Sequence, residues 1–231
     1  MNEQYRSPKT LSTFAIVGLG LVGLFQVISA VVGIGQVASP DSALDLEDAS
    51  LPIWVMLQGL VVLIQFPVYI ATVVFFLMWL YRAHSNLFAL LPTNLQFSSG
   101  WAVGWWFIPF ANLVKPFQVV REVWSESSPE VDAEPSFLSA NAHSAPTFMG
   151  LWWAFWLASN ILSNITGNVF NPDDPSSVVV SGYLFAISGI LAGIAAALAI
   201  YVVKETTLRQ ESRAVAVNSL RRNEPPPPPT F

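Results

Sequence analysis

The sequence predicts an all-α integral membrane protein with four transmembrane helices and a broken helical hairpin on the cytoplasmic side between spans two and three. Three observations carry that prediction. Hydrophobic residues make up 53% of the chain and charged residues 11%, against roughly a quarter charged in soluble domains. Four long apolar runs alternate with short polar stretches. One central stretch, 99–124, crowds aromatic residues, prolines and basic residues together beside apolar sequence. A chain of this kind is counted in spans. It reads as one membrane domain over 11–204, a cytoplasmic tail over 1–10, and a basic then proline-rich cytoplasmic tail over 205–231.

Composition also excludes. The net charge of −5 offers no basic surface to nucleic acid. With no cysteine, disulfides, thiol catalysis and thiolate metal sites are ruled out. No cofactor and no metal is expected.

Span one covers 11–36, after a polar start carrying Arg6, Pro8 and Lys9. A signal peptide begins in the same way, and Ser29 and Ala30 are small enough for cleavage. The run is longer than the ~7–15 apolar residues of such signals, so an uncleaved helix is expected. The loop over 37–52 carries Asp41, Asp45, Glu47 and Asp48 and no basic residue.

Span two covers 53–80. At about 1.5 Å per residue it would reach ~42 Å, more than the ~30 Å hydrocarbon core, so it must tilt or protrude. Pro67 at its middle predicts a kink. At the protruding end Trp79, Arg82 and Asn86 share one helix face. Two readings of that face stand. Either Trp79 sits at headgroup depth with Arg82 reaching phosphate, or Arg82 and Asn86 turn inward to hold the next segment.

After a connector over 87–98, Pro109 and Pro116 disfavour helical geometry at Ile108 and Lys115. A helix from about Trp101 should therefore stop near Phe107, and another should start at Pro116. The second is amphipathic, with Phe117, Val120 and Trp124 on one side and Gln118, Arg121 and Glu122 on the other. The broken backbone between them cannot lie bare in lipid, where each unpaired peptide group costs several kcal/mol. Residues 100–124 thus form a re-entrant or interfacial hairpin.

Residues 125–146 read as a flexible acidic loop in which His143 is solvated. Span three covers 148–166 and opens with Trp152, Trp153 and Trp156. Asn160, Ser163, Asn164 and Gly167 recur at helical spacing along it, a polar stripe that should face protein rather than lipid. Span four covers 178–203, where Gly189, Gly193 and Ala197 would allow close helix packing. The tail carries Lys204, Arg209, Arg213, Arg221 and Arg222 before prolines 225–229. Its basic part suits anionic headgroups. The proline run is either a polyproline II ligand for a partner domain or a bare disordered terminus.

Orientation follows from charge. With four spans, all ten Lys and Arg fall on the side of the two termini and the central segment. Basic residues mark the cytoplasmic side, so both termini are expected there. If the central segment crossed as a fifth span, the basic tail would lie outside.

Candidate binding residues gather in and beside the hairpin. Arg82, Lys115 and Arg121 supply positive charge. Asn86, Asn112 and the open backbone at Pro109 and Pro116 supply hydrogen bonds, with Trp124 bordering them. Trp79, Trp101, Trp105, Trp106, Trp152 and Trp153 are candidate interfacial anchors.

These residues also carry a resemblance. The strings Trp79-x-x-Arg82-Ala83-x-x-Asn86, Gly100-Trp101-Ala102-Val103, Trp106-Phe107-Ile108-Pro109-Phe110-Ala111-Asn112-Leu113, Lys115-Pro116 and Arg121-Glu122-Val123-Trp124 resemble the bacterial membrane-protein family catalogued as domain of unknown function 4328. The similarity runs from about span one to span four and omits the acidic loop and both tails. It implies a helical protein of a bacterial cytoplasmic membrane. It implies no activity and carries over no catalytic residue.

Three classes of function remain open. The first is a non-enzymatic binding or regulatory module whose hairpin holds anionic lipid headgroups or a membrane-protein partner; a purely architectural hairpin, with Asn112 capping a helix start, is the alternative to a ligand site. The second is a transporter or channel for a small neutral solute, acting as an oligomer. The spans contain no Asp, Glu, His or Lys, which coupled transport usually requires, leaving Gln58, Gln65, Asn160 and Asn164 to line a path. The third is a membrane enzyme, for which His84 with Glu122 or Glu126 is the available acid–base pair.

Overall fold

Apolar sequence broken by proline and polar residues folds, among the described residues, into helices joined by turns. The computed structural model describes residues 4–38, 53–90, 95–128, 146–171 and 174–223, and no strand occurs among them. The α-helices are α1 (Lys9–Ala38), α2 (Ile53–Leu90), α3 (Ser99–Gly104), α4 (Lys115–Glu126), α5 (Thr147–Val169) and α6 (Pro175–Asn223). Most of the first loop, His143 with most of the acidic loop, Asp173 and the proline run lie outside the described residues.

Among the described residues three helices are long and apolar enough to cross a membrane, over Lys9–Gly35, Met56–Leu90 and Ser176–Ser219. These include the expected spans one, two and four. Helix α5, expected as span three, is 23 residues long but is not among them, because Asn160, Ser163, Asn164 and Asn168 interrupt its apolar run. Two helices outrun their expected ends. α2 passes Pro67 without interruption and continues to Leu90, and α6 continues to Asn223 where a tail was expected from 205.

The chain divides into two compact units. One comprises Met1–Ser12, Leu77–Pro146 and Val203–Phe231, and the other Thr13–Phe76 and Thr147–Val202.

In the second unit small residues set the helix contacts. A Cβ on Gly18 of α1 would stand 2.5 Å from the Thr72 hydroxyl of α2, and Phe14 stacks on Phe75 with centroids 4.9 Å apart. A Cβ on Gly189 of α6 would lie 2.8 Å from the Gln26 carbonyl oxygen and 3.1 Å from the Ala30 Cβ of α1. The close packing foreseen at Gly189 is therefore a backbone-to-backbone approach, as small residues permit between spanning helices. Phe148 of α5 meets Tyr201 of α6 edge to face at 4.9 Å. The same unit leaves Leu63, Phe66 and Ile64 of α2 exposed, a surface suited to hydrocarbon rather than water.

Candidate functional site

The candidate binding residues lie in the first unit, where three local arrangements can be built from the sequence upward. The first begins with α6. From position 203 on, the buried residues Val203, Thr207, Gln210, Ala214 and Val217 follow alternating steps of four and three, the spacing of a helix seam, with Thr206 and Arg213 buried beside them. Gln210 is fully buried on that seam. Its Nε2 donates to the Ala83 carbonyl at 2.7 Å and to the Ser127 hydroxyl at 3.1 Å. Its Oε1 accepts from Asn86 Nδ2 at 3.2 Å. Asn86 in turn donates to the Arg6 carbonyl at 2.9 Å and accepts from the Arg6 backbone N–H at 3.1 Å. One glutamine and one asparagine thus join α6, α2, the end of α4 and the amino-terminal segment.

Further contacts flank this node. Trp79 Nε1 donates to Thr207 Oγ1 at 3.0 Å, the Arg209 guanidinium lies 4.4 Å from the Trp124 ring centroid, and Arg213 Nη1 donates to the Ser128 carbonyl at 2.8 Å. Two arginines at the carboxyl end of α4 match the negative end of its dipole. On the amino-terminal side, Glu211 accepts from Tyr5 at 2.9 Å and from Ser7, and pairs with Lys9 at 3.1 Å. Burial, together with the bond to the Glu211 carboxylate and its charge, pushes the Tyr5 hydroxyl well above the usual tyrosine range.

The second arrangement is a relay around His84, which is fully buried. His84 Nδ1 lies 3.2 Å from Ser99 Oγ and Nε2 lies 3.2 Å from Glu122 Oε2. The other Glu122 oxygen accepts the Gln96 backbone N–H. Such a chain can hold and pass a proton. It equally braces α2 against α3 and α4, since each group is satisfied by the next.

The third arrangement is the break between α3 and α4. Ser98 caps α3 by accepting from Trp101 N–H, a 3₁₀ turn covers Trp105–Phe107, and Ile108 turns extended at φ −95°, ψ 115°, as the following proline requires. Ala111 N–H then bonds back to the Pro109 carbonyl at 2.8 Å, closing a γ-turn with Phe110 at φ 63°, ψ −43°. That turn is strained for any residue with a Cβ. A second 3₁₀ turn, Ala111–Leu113, leads into α4 at Lys115 with Pro116 in its first turn and no side-chain cap. Asn112 therefore caps nothing; its backbone N–H bonds to Ile108 O at 3.0 Å. Lys115 Nζ lies 5.6 Å from the Phe97 centroid and 5.7 Å from that of Trp105. Phe107 is 70% and Phe110 86% exposed, and Leu113 and Val114 are exposed beside them.

The structure thus sorts the expected residues. Asn86, Trp79 and Trp124 join the α6 node, whereas Pro109, Asn112, Lys115 and Pro116 build the turn. Arg121 is exposed on α4 and Arg82 half-buried on α2. Asn86 does turn inward, but toward Arg6 and Gln210 rather than the following segment. Trp79 is fully buried, as are Trp152 and Trp153 nearly so in the other unit, while Trp101 is exposed and Trp105 and Trp106 are half-buried. Glu122, placed on the polar side of α4, reaches His84. Gln210, Thr207 and the Ser127–Ser128 pair were missed, although the four-three spacing continuing past Lys204 was a signal for α6, and Arg213, expected with the basic tail at anionic headgroups, is instead buried against Ser128. Among the described residues no three His, Asp or Glu side chains gather to hold a metal ion.

Comparison with known proteins finds no match among curated proteins and none among solved structures. A family model described as "Domain of unknown function (DUF4328)" matches residues 42–207. That match takes in the end of α2, the turn and α4, while the amino-terminal segment and α6 from Leu208 onward fall outside it, and the chain belongs to the DUF4328 family.

Proposed function

We propose that this chain is a non-enzymatic module of a bacterial cytoplasmic membrane, with four spans and both termini cytoplasmic, whose α3–turn–α4 hairpin engages the bilayer surface. In this reading Phe107, Phe110, Leu113 and Val114 enter lipid while Lys115 and Arg121 meet anionic headgroups. The supporting observation is the apolar tip beside Lys115, held outward by a strained γ-turn. Glycine would adopt that turn without strain, so phenylalanine there suggests a contact outside the chain. Aromatic and aliphatic tips with basic flanks suit the boundary between headgroups and acyl chains.

Four spans draw support from the α6 node. The amino-terminal segment, the end of α2 and the end of α6 hydrogen-bond to one another. Reaching the end of α2 from the amino terminus, and the end of α6 from there, therefore takes an even number of crossings each time. With α1 and α2 as the first pair, α5 and α6 form the second. At about 1.5 Å per residue α5 reaches ~34 Å, enough to cross.

The test places an environment-sensitive fluorophore at Phe110→Cys in proteoliposomes. Blue-shifted emission quenched by nitroxide-labelled lipid is expected. Blue-shifted but unquenched emission would assign the tip to a protein partner, and emission typical of water would sink the lipid reading.

A further inference from the structure

The polar stripe of α5 was expected to face protein, yet among the described residues no other element pairs with it. Asn160, Asn164 and Asn168 are exposed and recur every fourth residue, so they follow one face. Each donates from Nδ2 to the carbonyl four residues back, Asn160 to Trp156 at 2.7 Å, Asn164 to Asn160 at 3.0 Å and Asn168 to Asn164 at 2.8 Å. That bond uses one of two amide hydrogens and leaves each Oδ1 without a donor among the described residues. Ser163 and Gly167 are exposed alongside, and nothing lies within 4 Å of a Cβ built on Gly167.

With α5 as a span, Asn160 stands about 20 Å along it, close to mid-bilayer. Hydrocarbon there would leave amide groups unpaired at several kcal/mol each. We infer that this face of α5 is the contact with a second copy of the same chain. The inference rests on the four-span reading. A side-chain amide is at once donor and acceptor, so a row of them is complementary to itself, which is what a two-fold contact between identical helices requires. Ser163 and Gly167 allow the two backbones to approach closely. A charged partner would instead call for a charged stripe, and α5 carries no charge.

The absence of cysteine makes the test direct. Asn160→Cys, Asn164→Cys and, off the stripe, Ile165→Cys are oxidised singly in native membranes and probed with a membrane-impermeant maleimide. The stripe variants should give a disulfide-linked dimer while Ile165→Cys gives several-fold less. In the cysteine-free chain, Asn160→Leu with Asn164→Leu should weaken association about tenfold per asparagine, read by energy transfer between labelled copies in proteoliposomes. Equal cross-linking at Ile165→Cys would mean random collision and overturn the dimer. No cross-link with Asn164→Cys unreactive to maleimide would overturn the dimer and leave the span intact, with lipid or another protein on the stripe. No cross-link with Asn164→Cys reactive would place the stripe in water and remove the four-span reading as well.

Discussion

Gln210 shows how much one uncharged side chain can organise. Fully buried, it makes three hydrogen bonds, two to α2 and one to the end of α4. A carboxylate could not donate to the Ala83 carbonyl, and a leucine could satisfy none of the three. Truncation in Gln210→Ala removes one interior hydrogen bond each from the Ala83 carbonyl, the Ser127 hydroxyl and the Asn86 amide, at ~1 kcal/mol apiece, while Ser127 keeps its bond to the Val123 carbonyl and Asn86 its bonds to Arg6. The expected outcome is a loss of about 3 kcal/mol in unfolding free energy, measured in detergent, with Asn86→Ala adding less than its cost as a single change because the two share one bond, though its bonds to Arg6 are lost in addition. At this scale the sequence was a poor guide. Asn86 was legible from its place on the Trp79 face, whereas Gln210, between Arg209 and Glu211, is marked only by the four-three spacing that continues past Lys204. For His84 the sequence offered Glu122 or Glu126, and the fold selects Glu122, 38 positions away.

Among the elements, the break between α3 and α4 was the most legible. Proline constrains its own φ and its predecessor's ψ, so Pro109 and Pro116 mark where helix must end and restart whatever surrounds them. The γ-turn at Phe110 was not legible, since no local preference selects a strained conformation. The length of α6 was missed for a different reason. Lys204 and the arginines beyond it look like the end of a span, yet the seam from Val203 to Val217 keeps its spacing and packs Thr207 and Gln210 inward. The approach of α1 to α6 belongs to this scale too. Gly189→Val puts atoms within 3 Å of the Gln26 carbonyl, a backbone group that cannot step aside. A cost of about 1–3 kcal/mol is expected, seen as a lower thermal midpoint. Val at Gly150, where nothing lies within 4 Å, is the matched control.

For the whole molecule the open question is how many times the chain crosses. Single cysteines at Arg121 and Ser176, both exposed, put it to an impermeant maleimide on intact cells. With four spans only Ser176→Cys reacts from outside; reaction at Arg121→Cys would place α4 outside and reverse the assignment. Composition alone determined that this chain is helical and suited to a bilayer, because backbone groups in hydrocarbon must be satisfied within a segment and long apolar runs leave helices as the way to do so. The proline positions determined where the central segment breaks, because their constraint is local. Which polar residues are buried, and against what, was decided by tertiary structure: a hydrogen bond between Asn86, Gln210 and Arg6 depends on segments far apart in the chain, and no periodicity within one helix records its partner.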